Sequence, residues 1–146
     1  MTAQRSQKVP KGEPFSVRFT APTDRTVQEE ARRTHRSKSA VVEALTEEAV
    51  RMRRFPGIGF RGDDANRQPW LIGSGLDVWE TIQMLEDFGS PERLVEDTQL
   101  TERQVRLALA YRDSYADEII EAIARNRRTV EEWHDLYPFV ELSTTA

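Results

Sequence analysis

Phe15-Ser16-Val17-Arg18-Phe19-Thr20 alternates strictly between apolar and polar residues. Side chains along an extended chain point to opposite faces in turn. Phe15, Val17 and Phe19 therefore share one face, and Ser16, Arg18 and Thr20 share the other, which predicts a half-buried strand. Downstream, Pro22 and Asp24 mark a turn into a helix with Val27 and Ala31 at helical spacing, and Arg36-Ser37 interrupts it. Ser37 or Ser39 can cap a second helix, which carries Val41, Val42, Leu45, Ala49, Val50 and Met52 on one side before Pro56 and Gly57 stop it. Upstream, residues 1–13 are polar and basic, with Arg5, Lys8 and Lys11, and read as a flexible arm.

A strand and two short helices cannot bury a stable core alone, and a lone strand leaves an unpaired edge on each side. Both difficulties vanish if two copies pair their strands antiparallel and pack four helices against the apolar face. Ser16, Arg18 and Thr20 then lie outward on a two-stranded ribbon, a shape that fits the DNA major groove. Arg32, Arg33, Arg36 and Lys38 cluster near the interhelical turn. A helix start at residues 37–39 offers free backbone N–H groups to a phosphate.

The alternating strand, and Arg36-Ser37-Lys38-Ser39 opening onto Ala40-Val41-Val42-Glu43-Ala44-Leu45, make residues 14–55 resemble the ribbon-helix-helix repressors. That resemblance implies an obligate dimer on double-stranded operator DNA. Ser16, Arg18 and Thr20 would read bases, while Arg36, Ser37, Lys38 and Ser39 would anchor phosphates. The first helix departs from the family pattern in having few large apolar residues.

Residues 56–128 read differently. Gly57, Gly59, Gly62, Gly73 and Gly75 punctuate short apolar pieces around Ile58, Phe60, Trp70, Leu71 and Ile72, which predicts short strands in a hairpin or ribbon. Asp77 can cap a helix containing Val78, Ile82, Leu85 and Phe88. Gly89 ends it, Ser90 caps the next, and Pro91 takes its first position. Thr101-Glu102-Arg103-Gln104 is a capping box, followed by Val105, Leu107, Ala108, Leu109 and Tyr111, then a helical stretch with Tyr115, Ile119, Ile120, Ile123 and Ala124.

These short-linked helices resemble a helix-turn-helix module. The segment as a whole is similar to the bacterial family called domain of unknown function 433. The likeness runs through Arg67-Gln68-Pro69-Trp70-Leu71-Ile72-Gly73, Val78-Trp79-Glu80, Gly89-Ser90-Pro91-Glu92, Leu100-Thr101 and Ala108-Leu109-Ala110-Tyr111. Where that family shows Gly-Thr-Arg, this chain has Gly73-Ser74-Gly75. The resemblance implies an antitoxin of a type II toxin–antitoxin system, partnered with a nuclease-like toxin of the PIN type.

Charge divides the same way. Residues 1–62 hold 13 Lys/Arg against 7 Asp/Glu, a balance of +6, and residues 63–146 hold 8 Arg against 18 Asp/Glu, a balance of −10; together these make the net −4 of the whole 146-residue chain. Opposite signs in the two halves suggest a polyanion for the first and a basic or apolar protein surface for the second. Acidic residues outnumber basic ones over residues 90–111, so that segment reads as a dimerisation or protein-binding module. Residues 129–146 form a tail in which Trp133, Leu136, Tyr137, Phe139 and Val140 supply apolar anchors amid Glu131, Glu132, Asp135 and Glu141. Those five anchors are the candidate toxin-binding residues, although the tail could instead pack on its own domain.

Other classes find little support. There is no cysteine, hence no disulfide framework or thiolate metal site. No zinc spacing, phosphate loop or nucleophile elbow is present, and His35 and His134 sit in different segments. Gly57, Gly59 and Gly62 mimic part of a phosphate-binding pattern but lack the apolar helix that should follow. We expect no enzyme activity, cofactor or metal, no membrane span, and a cytoplasmic, mainly α protein with short β: a ribbon-helix-helix domain, then a small ribbon-plus-helices domain. The expected function is an antitoxin that represses its own operon. The alternative is a stand-alone DNA-binding transcription regulator whose second domain multimerises or binds another protein.

Overall fold

The computed structural model describes residues 9–127 together with Glu132 and Asp135. In chain order the elements are α1 (Ala21–Thr34), α2 (Lys38–Arg54), β1 (Ile58–Arg61), a 3-10 turn (Asp64–Asn66), β2 (Gln68–Leu71), α3 (Val78–Phe88), α4 (Pro91–Asp97), α5 (Glu102–Ser114) and α6 (Ala116–Asn126). The protein is mainly helical with one two-stranded antiparallel sheet. It divides into two units, Met1–Val42 and Glu43–Ala146, with the division inside α2.

In the first unit, Pro22 lies at the start of α1, where a missing N–H costs nothing, and Asp24 complements the positive end of the helix dipole. The helix ends at His35, which adopts a left-handed conformation (φ 53°). Ser37 then caps α2: its Oγ accepts the Ala40 N–H at 3.1 Å. α1 buries only Val27, and α2 buries only Val41.

The strand expected over residues 15–20 is absent from the single chain. Residues 9–20 carry no regular secondary structure and are exposed throughout. Phe15 is 85% exposed and Val17 54%. A strand exists only by pairing, and the two strands among the described residues, β1 and β2, pair with each other.

After the remainder of α2, the second unit holds the hairpin that the glycine-punctuated segment predicts. β1 and β2 align Ile58 with Leu71, Gly59 with Trp70, Phe60 with Pro69 and Arg61 with Gln68. Ile58 and Leu71 face inward and are fully buried. Gly59 is required by close approach: a Cβ there would lie 2.9 Å from the Trp70 indole nitrogen and 3.2 Å from Ile72. Gly62 opens the turn with φ +104°, and a Cβ would meet the Asn66 carbonyl at 2.5 Å. These glycines shape a hairpin, which explains why no phosphate-binding helix follows them.

α3 packs against β2, α4, α5 and α6. Val78, Ile82, Leu94, Val105, Ala108, Tyr111 and Ile119 form the core around it. Both anticipated caps are present. The Ser90 hydroxyl accepts the Arg93 N–H at 3.3 Å. The Thr101 hydroxyl accepts the Gln104 N–H at 3.1 Å, while the Gln104 side chain accepts the Thr101 N–H at 2.9 Å. Asp77 differs from expectation. It precedes α3 but makes no side-chain cap; its carboxylate is drawn away to Arg61 and Trp79.

Candidate nucleic-acid and partner surfaces

Arg32, Arg33, Arg36 and Lys38 lie where α1 gives way to α2. The left-handed His35 turns the chain, and Arg36 reaches over the first turn of α2 to donate to the Ala40 carbonyl at 3.3 Å. Ser37 is exposed, and its hydroxyl caps the helix. With the Ser37 oxygens taking the N–H groups of Ala40 and Val41, Lys38 and Ser39 hold the first-turn N–H groups that have no intrahelical acceptor. These are the donors a helix N-terminus offers to an anion. The Lys38 ammonium is engaged by Asp24 of α1. Both partners of that pair are partly exposed, and such pairs contribute about 0–1 kcal/mol, so a phosphate can compete for the ammonium.

Ser16, Arg18 and Thr20 are exposed, as are Phe15, Val17 and Phe19 between them. Thr20 donates to the Thr23 hydroxyl at 3.1 Å. The segment thus carries both its polar row and its apolar row outside any core. On α2, Leu45, Ala49 and Met52 are also exposed, and spacings of four and three place them along one side of the helix. Trp133, Leu136, Tyr137, Phe139 and Val140, expected to bind a toxin, lie outside the described residues.

In the second unit the structure assembles two polar clusters that the sequence did not single out. Arg51 is the centre of the first, with its side chain only 12% exposed. Its guanidinium donates to the Tyr111 hydroxyl at 2.8 Å, to both Glu118 carboxylate oxygens at 2.8 and 2.9 Å, and to Glu47 at 2.8 Å. It also lies 3.8 Å from the centre of the Tyr115 ring. Burial works against its charge, but the bonds to Glu118, Tyr111 and Glu47 prevail and raise its pKa above the ordinary arginine value. Burial likewise pushes the Tyr111 hydroxyl up to about 12, against the opposing pull of Arg51. The one signal of this cluster in the sequence is the Glu47–Arg51 spacing of four, which is common on any exposed helix.

Arg61 anchors the second cluster. It donates to Asp77 at 2.8 Å and to the Gly75 carbonyl at 2.9 Å, and sits 4.8 Å over the Trp70 ring. Trp79 donates to the other Asp77 oxygen at 3.3 Å. Burial, then the neighbouring Asp77, raises the Glu80 pKa. Every cation and carboxylate named here has a partner inside the unit, so both clusters fasten the fold.

A hollow of about 290 Å³ lies beside the turn after β2, lined by Ser74, Thr98, Thr101 and Gln104 among others. Four of its polar side chains are engaged: Ser74 bonds the Leu71 carbonyl at 2.7 Å, Thr98 bonds the Leu94 carbonyl at 2.6 Å, and Thr101 and Gln104 form the capping box. Among the described residues no three His, Cys, Asp or Glu side chains gather in a metal-holding group, and no helix is long and apolar enough to cross a membrane. No protein-family model, curated protein or solved structure matches the chain.

Proposed function

We propose that the chain is an antitoxin: a homodimer that represses its own operon by binding operator DNA through its first unit and holds a cognate toxin, for which a PIN-type ribonuclease is the candidate, through its second. The observation that carries the first half of this reading is the exposed apolar row Phe15, Val17 and Phe19 on a segment with no pairing partner among the described residues. Exposed apolar rows of this kind mark interaction surfaces. A second copy would supply both the missing strand and apolar cover for Phe15, Val17 and Phe19. Pairing would turn Ser16, Arg18 and Thr20 outward beside the basic α1–α2 junction. The second half rests on the excess of carboxylates after residue 62, which suits a partner that handles a polyanion.

Sedimentation of the full chain, joined with a mobility-shift titration on the DNA upstream of its own reading frame, tests the first half. We expect a dimer that shifts this fragment, with affinity falling steeply as salt rises because phosphate contacts release counterions. A monomer, or equal binding to unrelated DNA, would reject it. Co-expression with the neighbouring reading frame, scored by growth, tests the second half.

A further inference from the structure

α6 presents a second face that its own unit leaves uncovered. Ile119, Ala122 and Ile123 point into the core. On the opposite side, Asp117, Ile120, Glu121 and Ala124 follow at spacings of three, one and three, and all four are exposed. Ile120 is 61% exposed. The cations near this face are largely spoken for: Arg51 is bound to Glu118, and Arg127 lies 3.3 Å from Glu86 and 3.5 Å from Asp87. Among the described residues, Arg125 follows Glu121 by four positions and is exposed at the end of the helix.

We propose that the outer face of α6 is a protein-docking surface, with Ile120 as its apolar anchor, for a partner that offers an apolar pocket rimmed by Lys or Arg. The proposal rests on the antitoxin reading for the identity of that partner, and on α6 itself for the location. Charge decides among the possible occupants. A second copy docked across a twofold axis would bring Asp117 and Glu121 against themselves. Residues 129–146 hold Glu131, Glu132, Asp135 and Glu141 and no Lys or Arg, so the chain's own tail is repelled for the same reason. Nucleic acid is repelled as well. A basic protein surface is attracted, and Ile120 gains burial on meeting it.

The experiment titrates the full chain with two probes. One is the protein encoded by the neighbouring reading frame. The other is a synthetic amphipathic helix of Leu and Lys, with a Leu and Glu helix of the same pattern as control. Ile120→Arg removes the anchor, and the double variant D117K/E121K reverses the charge; both alter exposed positions and should melt like the parent. We expect each to weaken both probes about tenfold or more, the double variant to flatten the salt dependence, and operator affinity to stay unchanged. If the neighbouring protein binds both variants as tightly as the parent, the α6 surface is rejected while the antitoxin reading stands. If that protein does not bind but the Leu and Lys helix does, with loss on Ile120→Arg, the antitoxin reading falls and the docking face stands. If neither probe binds, or the Leu and Glu helix binds equally, the proposal is overturned.

Discussion

The unit ending at Val42 and the unit beginning at Glu43 handle large apolar side chains in opposite ways. In the second, Phe55, Ile58, Leu71, Val78, Ile82, Leu94 and Tyr111 belong to one buried cluster. In the first, α1 and the start of α2 bury one valine each, while Val9, Phe15, Val17 and Phe19 remain exposed. The two units do not differ in having apolar periodicity; both show it. They differ in whether the chain supplies a second surface to receive the apolar face. The hairpin of the second unit receives helices, whereas among the described residues the alternating segment of the first has no strand beside it and is exposed. The exposed apolar face of the first unit is the ground on which the proposed dimer rests.

The comparison breaks most directly at Tyr111. Its side chain is fully buried, its hydroxyl accepts from Arg51 at 2.8 Å, and its ring lies 5.3 Å from Phe55 and 4.8 Å from Tyr115. Tyr111→Ala should destabilise the second unit by about 3–5 kcal/mol, as large aromatic truncations in cores do, seen as a collapse of the thermal transition. Tyr111→Phe isolates the hydroxyl. With the folded pKa at about 12 and the ordinary value 10.0, the folded chain keeps this proton longer than the unfolded chain. Its stabilising contribution is therefore complete below pH 10 and is lost as pH rises from 10 to 12. Chemical denaturation across that range should show a decline in stability that Tyr111→Phe reduces. An identical decline in both proteins would detach the pH effect from this residue.

The counterpart in the first unit is Val17→Lys. Because Val17 is exposed in the single chain, the change should leave the second unit's melting untouched. In the proposed dimer the same charge would be buried without a partner. The dimer should weaken by at least about 2 kcal/mol, near thirtyfold, measured by sedimentation. A dimer that survives would place the interface elsewhere and dissolve the contrast between the units.

Next in size come the proposed DNA contacts. Arg18→Ala should cost about 1–3 kcal/mol on the operator and relax specificity at one base. Lys38→Ala should weaken all sequences alike and lower the salt slope by about 1. If the two variants behave the same, the outward row of residues 15–20 is not the base reader.

The second unit was the more legible because its signals are local. Gly59 and Gly62 mark a hairpin in which a Cβ would meet the Trp70 and Ile72 side chains at the first and the Asn66 backbone at the second; Ser90-Pro91 and Thr101 to Gln104 are helix starts that need nothing beyond four residues. Asp77 misled because its position suits a cap while its carboxylate is held by Arg61, 16 residues away in the chain. Arg51 stayed hidden for the same reason: its partners Tyr111 and Glu118 lie 60 and 67 residues downstream, and helical spacing carries no such information. Residues 15–20 show the opposite case. Their alternation is plain, yet a strand is a property of two segments, and the second is not among the described residues of this chain.

Two threonines at helix starts give the finest test of the comparison. Thr101 makes the complete capping box of α5, whereas Thr20, in the same position before α1, makes no cap to the backbone and spends its hydroxyl on Thr23. Thr101→Ala should therefore cost about 1 kcal/mol, a few degrees in the melting of the second unit, and leave operator binding alone. Thr20→Ala should leave the melting unchanged, because its hydroxyl satisfies no helix N–H, and should weaken operator binding, because the proposed ribbon turns that hydroxyl toward DNA. Equal losses of stability in the two variants would mean that Thr20 caps α1 in solution after all. Equal operator affinity in parent and Thr20→Ala would remove Thr20 from the reading face and leave that face to Ser16 and Arg18.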